Sequence, residues 1–380
     1  MSSIGVVVMG GVDRSGREHV VPTLLSLIDR LARRHDVHVF ALGHYPEPCT
    51  YPLRGATVHD VGRVDRPRGL RRFVLQQRLA AAIASVSTAR RFDLLHAYLG
   101  IPAIVATAAA RRSRLPVVVT LDSGELVRDD EIGYGLQRRL IDRRAVARAM
   151  RAAARVTVTT NHMRNLAAAA APGVPVEVVP LGIEVGEFHA APREGPPRLL
   201  RVGSLNRVKD YPMLLRALAR VASTMPDVHL DIVGEDTLDG AVQQLSASLG
   251  VAAHVTFHGL QPADRRPWFY ERAHLHVVSS RHEAAGVVVL EAAAAGVPTV
   301  GTDVGILADW SRDTIERAVV VPVGDDAALA AAIVAVLNDR PRAERLAAGA
   351  REWALAHDAD WTAREFERIY NETAMSARRR

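Results

Sequence analysis

Apolar residues along this chain follow two alternating rhythms. Short, largely apolar runs at Ile4–Met9, Val37–Leu42, Pro116–Thr120, Leu199–Val202, His229–Val233 and Ala273–Val278 read as buried strands. Between them, Val20–Arg34, Phe73–Ala89 and residues 136–154 carry apolar positions at helical spacing. Phe92–Tyr98, Arg155–Thr159 and Val255–Leu260 add further strand ends. Strand–helix alternation of this kind predicts an α/β chain built on parallel sheets. Residues 45–72, rich in Pro, Gly and Arg, read as a long surface segment. Ala190–Pro197 holds three prolines and one glycine, which marks a hinge. The rhythm restarts after it, so the expected layout is an amino-terminal domain over 1–189, a linker over 190–198 and a second domain over 199–357. The tail, 358–380, places Trp361, Phe366, Ile369 and Tyr370 at helical spacing, with Arg378–Arg380 frayed.

The densest chemistry lies in Ser279–Pro298, where a strand end passes through a polar loop into an Ala/Val/Leu helix closed by Gly296. Glu283 sits in the loop and Glu291 about a turn and a half into the helix. At roughly 1.5 Å rise per residue they stand on the order of 8–12 Å apart if both face one crevice. That span matches a nucleoside diphosphate sugar from hexose to ribose. The free N–H groups of the helix start, near Ala285, Gly286 and Val287, favour an anion between them.

Two strand–loop–helix units carry the other candidates. In the first, Gly10-Gly11-Val-Asp-Arg-Ser-Gly16 follows a strand, and the Gly11–Gly16 spacing is that of a phosphate loop. Arg17-Glu18 stands where a Walker motif needs Lys-Ser/Thr, which argues against ATP hydrolysis by a P-loop. A structural tight turn is the competing reading. In the second, Leu199–Val202 leads into Gly203-Ser204-Leu-Asn206-Arg207-Val-Lys209-Asp210. Lys209 is the single lysine among 48 basic residues, the rest being Arg. A compact, rotatable ammonium reaches a phosphate where a planar guanidinium does not fit. Asp122 and Glu125 follow the strand Pro116–Thr120, and carboxylates at such strand ends face the ligand crevice of open α/β sheets. Either one can bind sugar hydroxyls, take the proton of an acceptor or cap the next helix.

Glu283–Glu291 resembles the E-x7-E signature of retaining glycosyltransferase family 4, the group 1 glycosyl transferases. Gly203–Asp210 resembles the Gly-Arg-Leu-x-x-x-Lys-Gly pattern of the same family, with Ser204 replacing the Arg. Leu181-Gly182-Ile183-Glu184 with Phe188, and Thr299–Gly305, match two further family stretches, with Ile306 at a position usually held by Gly. The resemblance implies the GT-B fold: two Rossmann-like domains facing a central crevice, with the last helix packing back on the first. It implies Glu283 beside the donor sugar, Glu291 on the ribose, and Lys209 with the amides near Gly286 and Val287 on the diphosphate. Asn206 or Arg207 would take over the task of the missing Arg. Gly10, Gly11 and Gly16 would face the donor phosphates, and Gly259 and Leu260 would border the base. His96 matches the first His of a family Asp-x-x-His-x-His pattern and would contact the acceptor. Tyr98 replaces the second. Ala284 and Ala285 replace the usual Gly and aromatic or Leu after the first Glu, and Asp122 stands where many members have a His.

Composition narrows the setting. A single cysteine, Cys49, excludes a disulfide framework. The amino terminus lacks the basic flank of a signal peptide, and no apolar run reaches the roughly 18 residues of a membrane span, so a soluble cytoplasmic protein is expected. Residues 1–190 carry 26 Arg against 17 acids, while the remainder is slightly acidic. An anionic acceptor or the inner face of a membrane would suit that asymmetry, as would solvated helix faces in an Arg-rich chain. Aromatics at 5% and the lack of a recognised motif exclude a nucleic-acid-binding reading. No metal-binding motif is recognised beside the candidate site residues, so no divalent cation or other cofactor is expected. The expected activity is transfer of a hexose from a UDP- or GDP-sugar to a hydroxyl of a glycan, lipid or small molecule, with retention of configuration. The rivals are a GT-B nucleotide-sugar epimerase and a non-catalytic nucleotide or sugar binder.

Overall fold

Ser3–Val8 forms β1, buried along its whole length because strands pair with it on both sides. The computed structural model describes residues 2–64, 70–87, 91–111, 113–191 and 193–378. Residues 65–69 of the expected surface segment, Thr88 and Ala89 of the expected helix, Pro192 of the expected linker, and Arg379 and Arg380 lie outside these. Two compact units result, 1–181 with 359–380, and 182–358.

The first unit continues with α1 (Pro22–Ala32), β2 (Asp36–Ala41), β3 (Cys49–Leu53), β4 (Ala56–Asp60), α2 (Leu70–Ser87), β5 (Leu94–Tyr98), α3 (Gly100–Ala110), β6 (Val117–Leu121), α4 (Leu140–Ala152), β7 (Arg155–Val158), α5 (Asn161–Ala170) and β8 (Val176–Val178). The sheet order is β3-β4-β2-β1-β5-β6-β7-β8, parallel except for β3. The order reverses between β1 and β5.

Part of the expected surface segment is a hairpin. Tyr51, Leu53, Ala56 and Val58 turn inward, Arg54-Gly55 supplies two positive-φ turn residues, and Pro52 is tolerated because β3 is an edge strand.

The second unit holds β9 (Arg198–Val202), α6 (Tyr211–Thr224), β10 (His229–Val233), α7 (Ala241–Ser248), β11 (Val255–Phe257), α8 (Arg266–Arg272), β12 (Leu275–Val278), α9 (Val287–Ala294), β13 (Thr299–Thr302), α10 (Gly305–Trp310), β14 (Val319–Val321), α11 (Asp326–Asn338) and α12 (Arg340–Ala356). Its all-parallel order, β11-β10-β9-β12-β13-β14, is the Rossmann order, with the reversal between β9 and β12. The division between the units falls after Leu181, not in the Pro-rich stretch. Arg193 ties that stretch to the second unit by donating to the carbonyls of Ala295 (2.8 Å) and Gly296 (2.9 Å).

The final helix, α13 (Ala359–Arg378), belongs to the first unit. Phe366, Ile369 and Tyr370 are buried there among residues of β1, β2 and α1. Each contributes about 2 kcal/mol of apolar burial.

Candidate functional site

In open α/β sheets ligands bind beyond the carboxyl ends of the strands, where the strand order reverses. In the second unit that point lies between Val202 and Val278, and two loops meet over it. The loop after β9 is set by two side-chain caps. Asn206 accepts from the amides of Val208 (3.0 Å) and Lys209 (3.2 Å), and Asp210, in the left-handed region at φ 45, accepts from the Met213 amide (3.1 Å). The loop after β12 is stitched to it: Ser279 Oγ donates to the Lys209 carbonyl at 2.7 Å, and the Arg281 amide to the Val208 carbonyl at 2.8 Å.

This stitching aims Lys209 at Glu283. The ammonium donates to Glu283 Oε1 at 2.7 Å, and Ser280 Oγ donates to the same oxygen at 2.7 Å. Burial alone would raise the Glu283 carboxyl, but the Lys209 and Arg201 charges and the two hydrogen bonds outweigh it and hold the group down to about 2. Arg201, on β9, is fully buried, and its Nη2 donates to Ser280 Oγ at 2.7 Å. Sequence reasoning missed both Arg201 and Ser280. An Arg inside a strand of an Arg-rich chain gives no signal, whereas Ser280 lay within the stretch already singled out.

Gly286 caps α9 at φ 80, a conformation that costs a side-chain-bearing residue about 1 kcal/mol or more. The first amides of α9, from Val287, thus start beside the Glu283 loop with no intrahelical acceptor of their own. Ala285 is buried, and its carbonyl accepts from the Ile306 amide.

Glu291 belongs to a separate cluster. Arg266 Nη1 donates to its Oε1 at 2.5 Å and Tyr270 OH to its Oε2 at 2.8 Å, so both oxygens have partners inside the fold. Its carboxyl is raised by burial, against the pull of Arg266 and Tyr270. Gly203 lies beside the Lys209 side chain, and Ser204 follows it without a charge. Arg207 is exposed on the outer side of its turn. Asn206 is a backbone cap rather than a stand-in for the missing Arg. Gly259 turns at φ 65 after β11 and Leu260 is 70% exposed.

The first unit brings together a different set. At its own strand-order reversal, a cavity of about 370 Å³ is lined by Met9, Leu99, Gly100, Ser123, Glu125 and Tyr134, among others. Glu125 is buried, and its Oε1 has no hydrogen-bond partner. Burial raises its carboxyl to about 7, despite backbone hydrogen bonds that oppose the rise. Position 100 must be Gly: a Cβ there would stand 2.8 Å from Glu125 Cβ. Leu99 takes a φ of 74, a conformation that costs about 1–3 kcal/mol. Asp122 accepts instead from Thr159 Oγ1 at 2.8 Å. Gly11 and Gly16 take positive φ in a loop that closes on Asp13, which accepts from the Ser15 amide and from Tyr45 OH (2.6 Å). Gly10 precedes that loop, which is satisfied by its own chain.

His96 is not an acceptor contact here. It is fully buried, with Nδ1 2.5 Å from Tyr370 OH and Nε2 2.6 Å from Thr120 Oγ1. Burial lowers its ring to about 3, so it is neutral. Among the described residues no group of three or more His, Cys, Asp or Glu is arranged to hold a metal ion.

The sequence matches the family "Glycosyl transferases group 1" over residues 186–353 and "Glycosyl transferase 4-like domain" over 20–182. It is 32% identical over 312 residues to a D-inositol 3-phosphate glycosyltransferase of Acidothermus cellulolyticus, covering 76% of this chain and 68% of that one. The chain belongs to the group 1 glycosyl transferases. Sucrose-phosphate synthase from Thermosynechococcus elongatus superposes with a TM-score of 0.84 at 20% identity over 99% of this chain and 100% of that one. Anabaena HepE, solved in complex with UDP and glucose, does so at 0.75 and 17% identity, over 98% and 99%. The fold of this glycosyl transferase is therefore GT-B, and within it Lys209 and Glu283 stand on one unit and Glu125 on the other.

Proposed function

We propose that this chain transfers a hexose from a UDP- or GDP-sugar to a hydroxyl with retention of configuration and without a metal ion. The observation that carries the reading is the Lys209–Glu283 pair at the strand-order reversal beside the start of α9. Lys209 and the first α9 amides supply positive potential where charge builds on a departing diphosphate. Glu283, held ionised, accepts hydrogen bonds from hexose hydroxyls, and Glu291 receives the ribose once it gives up part of its bond to Arg266 or Tyr270. On the acceptor side, Glu125 offers an unused carboxylate oxygen in a cavity. Near neutral pH it exchanges its proton readily and can polarise an acceptor hydroxyl. HepE, crystallised with UDP and glucose, supports a nucleotide-sugar donor by analogy of fold.

The test is a thermal-shift panel of UDP-, GDP-, ADP- and dTDP-sugars. A donor at a hundred times its dissociation constant adds roughly 2.7 kcal/mol of stability. One sugar nucleotide should shift the transition, K209A should abolish the shift, and free nucleoside diphosphate should appear only with an acceptor. An unshifted panel, or a shift that K209A leaves intact, refutes the donor site.

The acceptor reading extends to an anionic membrane surface. Arg143, Arg144, Arg148 and Arg151 are exposed along α4 next to Leu140 and Ile141, which are 50% and 71% exposed. Arg72 pairs with Asp142 at 2.7 Å and brings exposed Leu70 and Phe73 of α2 alongside. Apolar side chains flanked by arginines suit insertion among anionic headgroups, worth about 1 kcal/mol per Arg. Co-sedimentation with phosphatidylglycerol vesicles but not phosphatidylcholine vesicles, lost in R144E/R148E, supports it. Equal recovery with both kinds of vesicle refutes it.

A further inference from the structure

The group 1 pattern puts an arginine directly after Gly203, where this chain has Ser204; Asn206 carries no charge and Arg207 is exposed. A guanidinium is nevertheless present, three residues earlier in sequence and beneath the loop. Arg201 projects from β9 on the α6 side of the sheet, with no exposed surface. Its Nη2 donates to Ser280 Oγ at 2.7 Å and lies 3.8 Å from Glu283 Oε1. Nε and Nη1 are buried and make no well-formed hydrogen bond, the Tyr211 hydroxyl being the polar group beside the guanidinium. Burying a guanidinium whose nitrogens are incompletely bonded is costly, so a fold that keeps one has a use for its charge.

The charge count indicates the use. Lys209 and Arg201 are two cations facing a single carboxylate, Glu283, and the neighbouring buried His276 is neutral because burial lowers its ring to about 3. One positive charge is in excess at the strand-order reversal. In the arrangement described, Lys209 is committed to Glu283. An ammonium held at 2.7 Å by a carboxylate binds a phosphate poorly unless the carboxylate has another cation to turn to.

We propose that Arg201 is a positioning residue for Lys209: it takes over Glu283 when the lysine turns to the donor diphosphate. This rests on the donor site proposed above. A shift of about 1 Å brings Arg201 Nη2 from its present separation into hydrogen-bond range of Oε1. Ser280, already bonded to both groups, keeps them aligned. Glu283 then stays ionised and available to the hexose, and the excess positive charge moves to the diphosphate, where it is balanced. The arginine that the family carries in the loop is replaced here by one acting from the strand below, through the carboxylate rather than on the phosphate.

Isothermal titration with UDP and GDP, each compared with its nucleoside, tests this. R201Q should weaken binding of the diphosphate at least tenfold and leave nucleoside binding within twofold. R201K, which keeps the charge, should recover part of the loss. The distinguishing variant is R201Q/E283Q: with the carboxylate gone nothing retains Lys209, and diphosphate affinity should return to within about threefold of E283Q alone. A role confined to packing would lower stability without this reversal. If R201Q does not fold, S280A serves, because it cuts the link to Glu283 and leaves both charges. It should weaken the diphosphate several-fold, again reversed by E283Q. Unchanged diphosphate affinity in folded R201Q or S280A, or a loss that E283Q does not reverse, overturns the proposal. K209A is the control: if it leaves diphosphate affinity intact, the donor site itself is wrong, whereas loss in K209A without loss in R201Q refutes only the role of Arg201.

Discussion

Replacing Lys209 by Met tests the electrostatics of the second unit without any ligand. The side chain keeps its unbranched shape, one heavy atom shorter, and loses its charge, so Glu283, with only 12% of its side chain exposed, is left to Arg201 and Ser280. In the intact protein the Glu283 carboxyl is lowered from 4.5 to about 2. At about 1.4 kcal/mol per pH unit, returning it to its ordinary value costs roughly 3 kcal/mol, an upper figure because Arg201 and Ser280 remain. K209M should therefore destabilise the second unit by about 1–3 kcal/mol at pH 7.

The sign follows from linkage. A carboxyl lowered by folding adds stability above its unfolded value and loses it as the pH falls through the folded one. The penalty of K209M is thus full above about pH 4.5 and shrinks between there and about pH 2. Urea unfolding at pH 7, 5 and 3, followed by tryptophan fluorescence, measures it, since Trp268, Trp310 and Trp353 all lie in this unit and only Trp361 in the other. A cost below about 0.5 kcal/mol at pH 7, or one that stays constant down to pH 3, would show that Lys209 does not stabilise Glu283 as described.

Two further outcomes are expected. Glu125 is raised by burial from 4.5 to about 7, so the folded chain holds a proton that the unfolded chain releases, and stability falls as the pH rises between those values; E125Q should stabilise the first unit at pH 8 by up to roughly 3 kcal/mol and leave it unchanged at pH 4, and thermal melts with equal pH dependence in both proteins would contradict this. R266A leaves the buried Glu291 carboxylate with Tyr270 alone and should cost about 2–4 kcal/mol at pH 7, read by the same fluorescence; R266A/E291Q should recover most of it, and a double variant no better than the single one would refute the pairing.

Much of the architecture was legible in residue order because it depends on local periodicity. Ile4–Met9 is apolar at every position and Leu199–Val202 at every position but Arg201, which suits strands paired on both sides, and Gly286 followed by Val287 marks a helix start. The pairing of β3 with β4 was hidden because Pro52 and Arg54 look like loop residues until β4, paired with β2 on its other side, makes β3 the edge of a sheet. Lys209 and Glu283 stood out by rarity and spacing. Their contact across 74 positions is tertiary, set by the two side-chain caps and by Ser279 bonding to the loop after β9. The surroundings of Asp122 and Glu125 are likewise tertiary: Thr159 donates to the first and a cavity opens beside the second. His96 became a core residue only when α13 brought Tyr370 against it. Arg201 is the clearest case. A guanidinium within a strand is unremarkable in a chain with 47 arginines, and only the fold, by burying it beside Ser280 and Glu283, turned that residue into part of a charge balance. Periodicity specifies which face of an element is buried, whereas the partner a buried charge meets depends on which distant strand lies next to it.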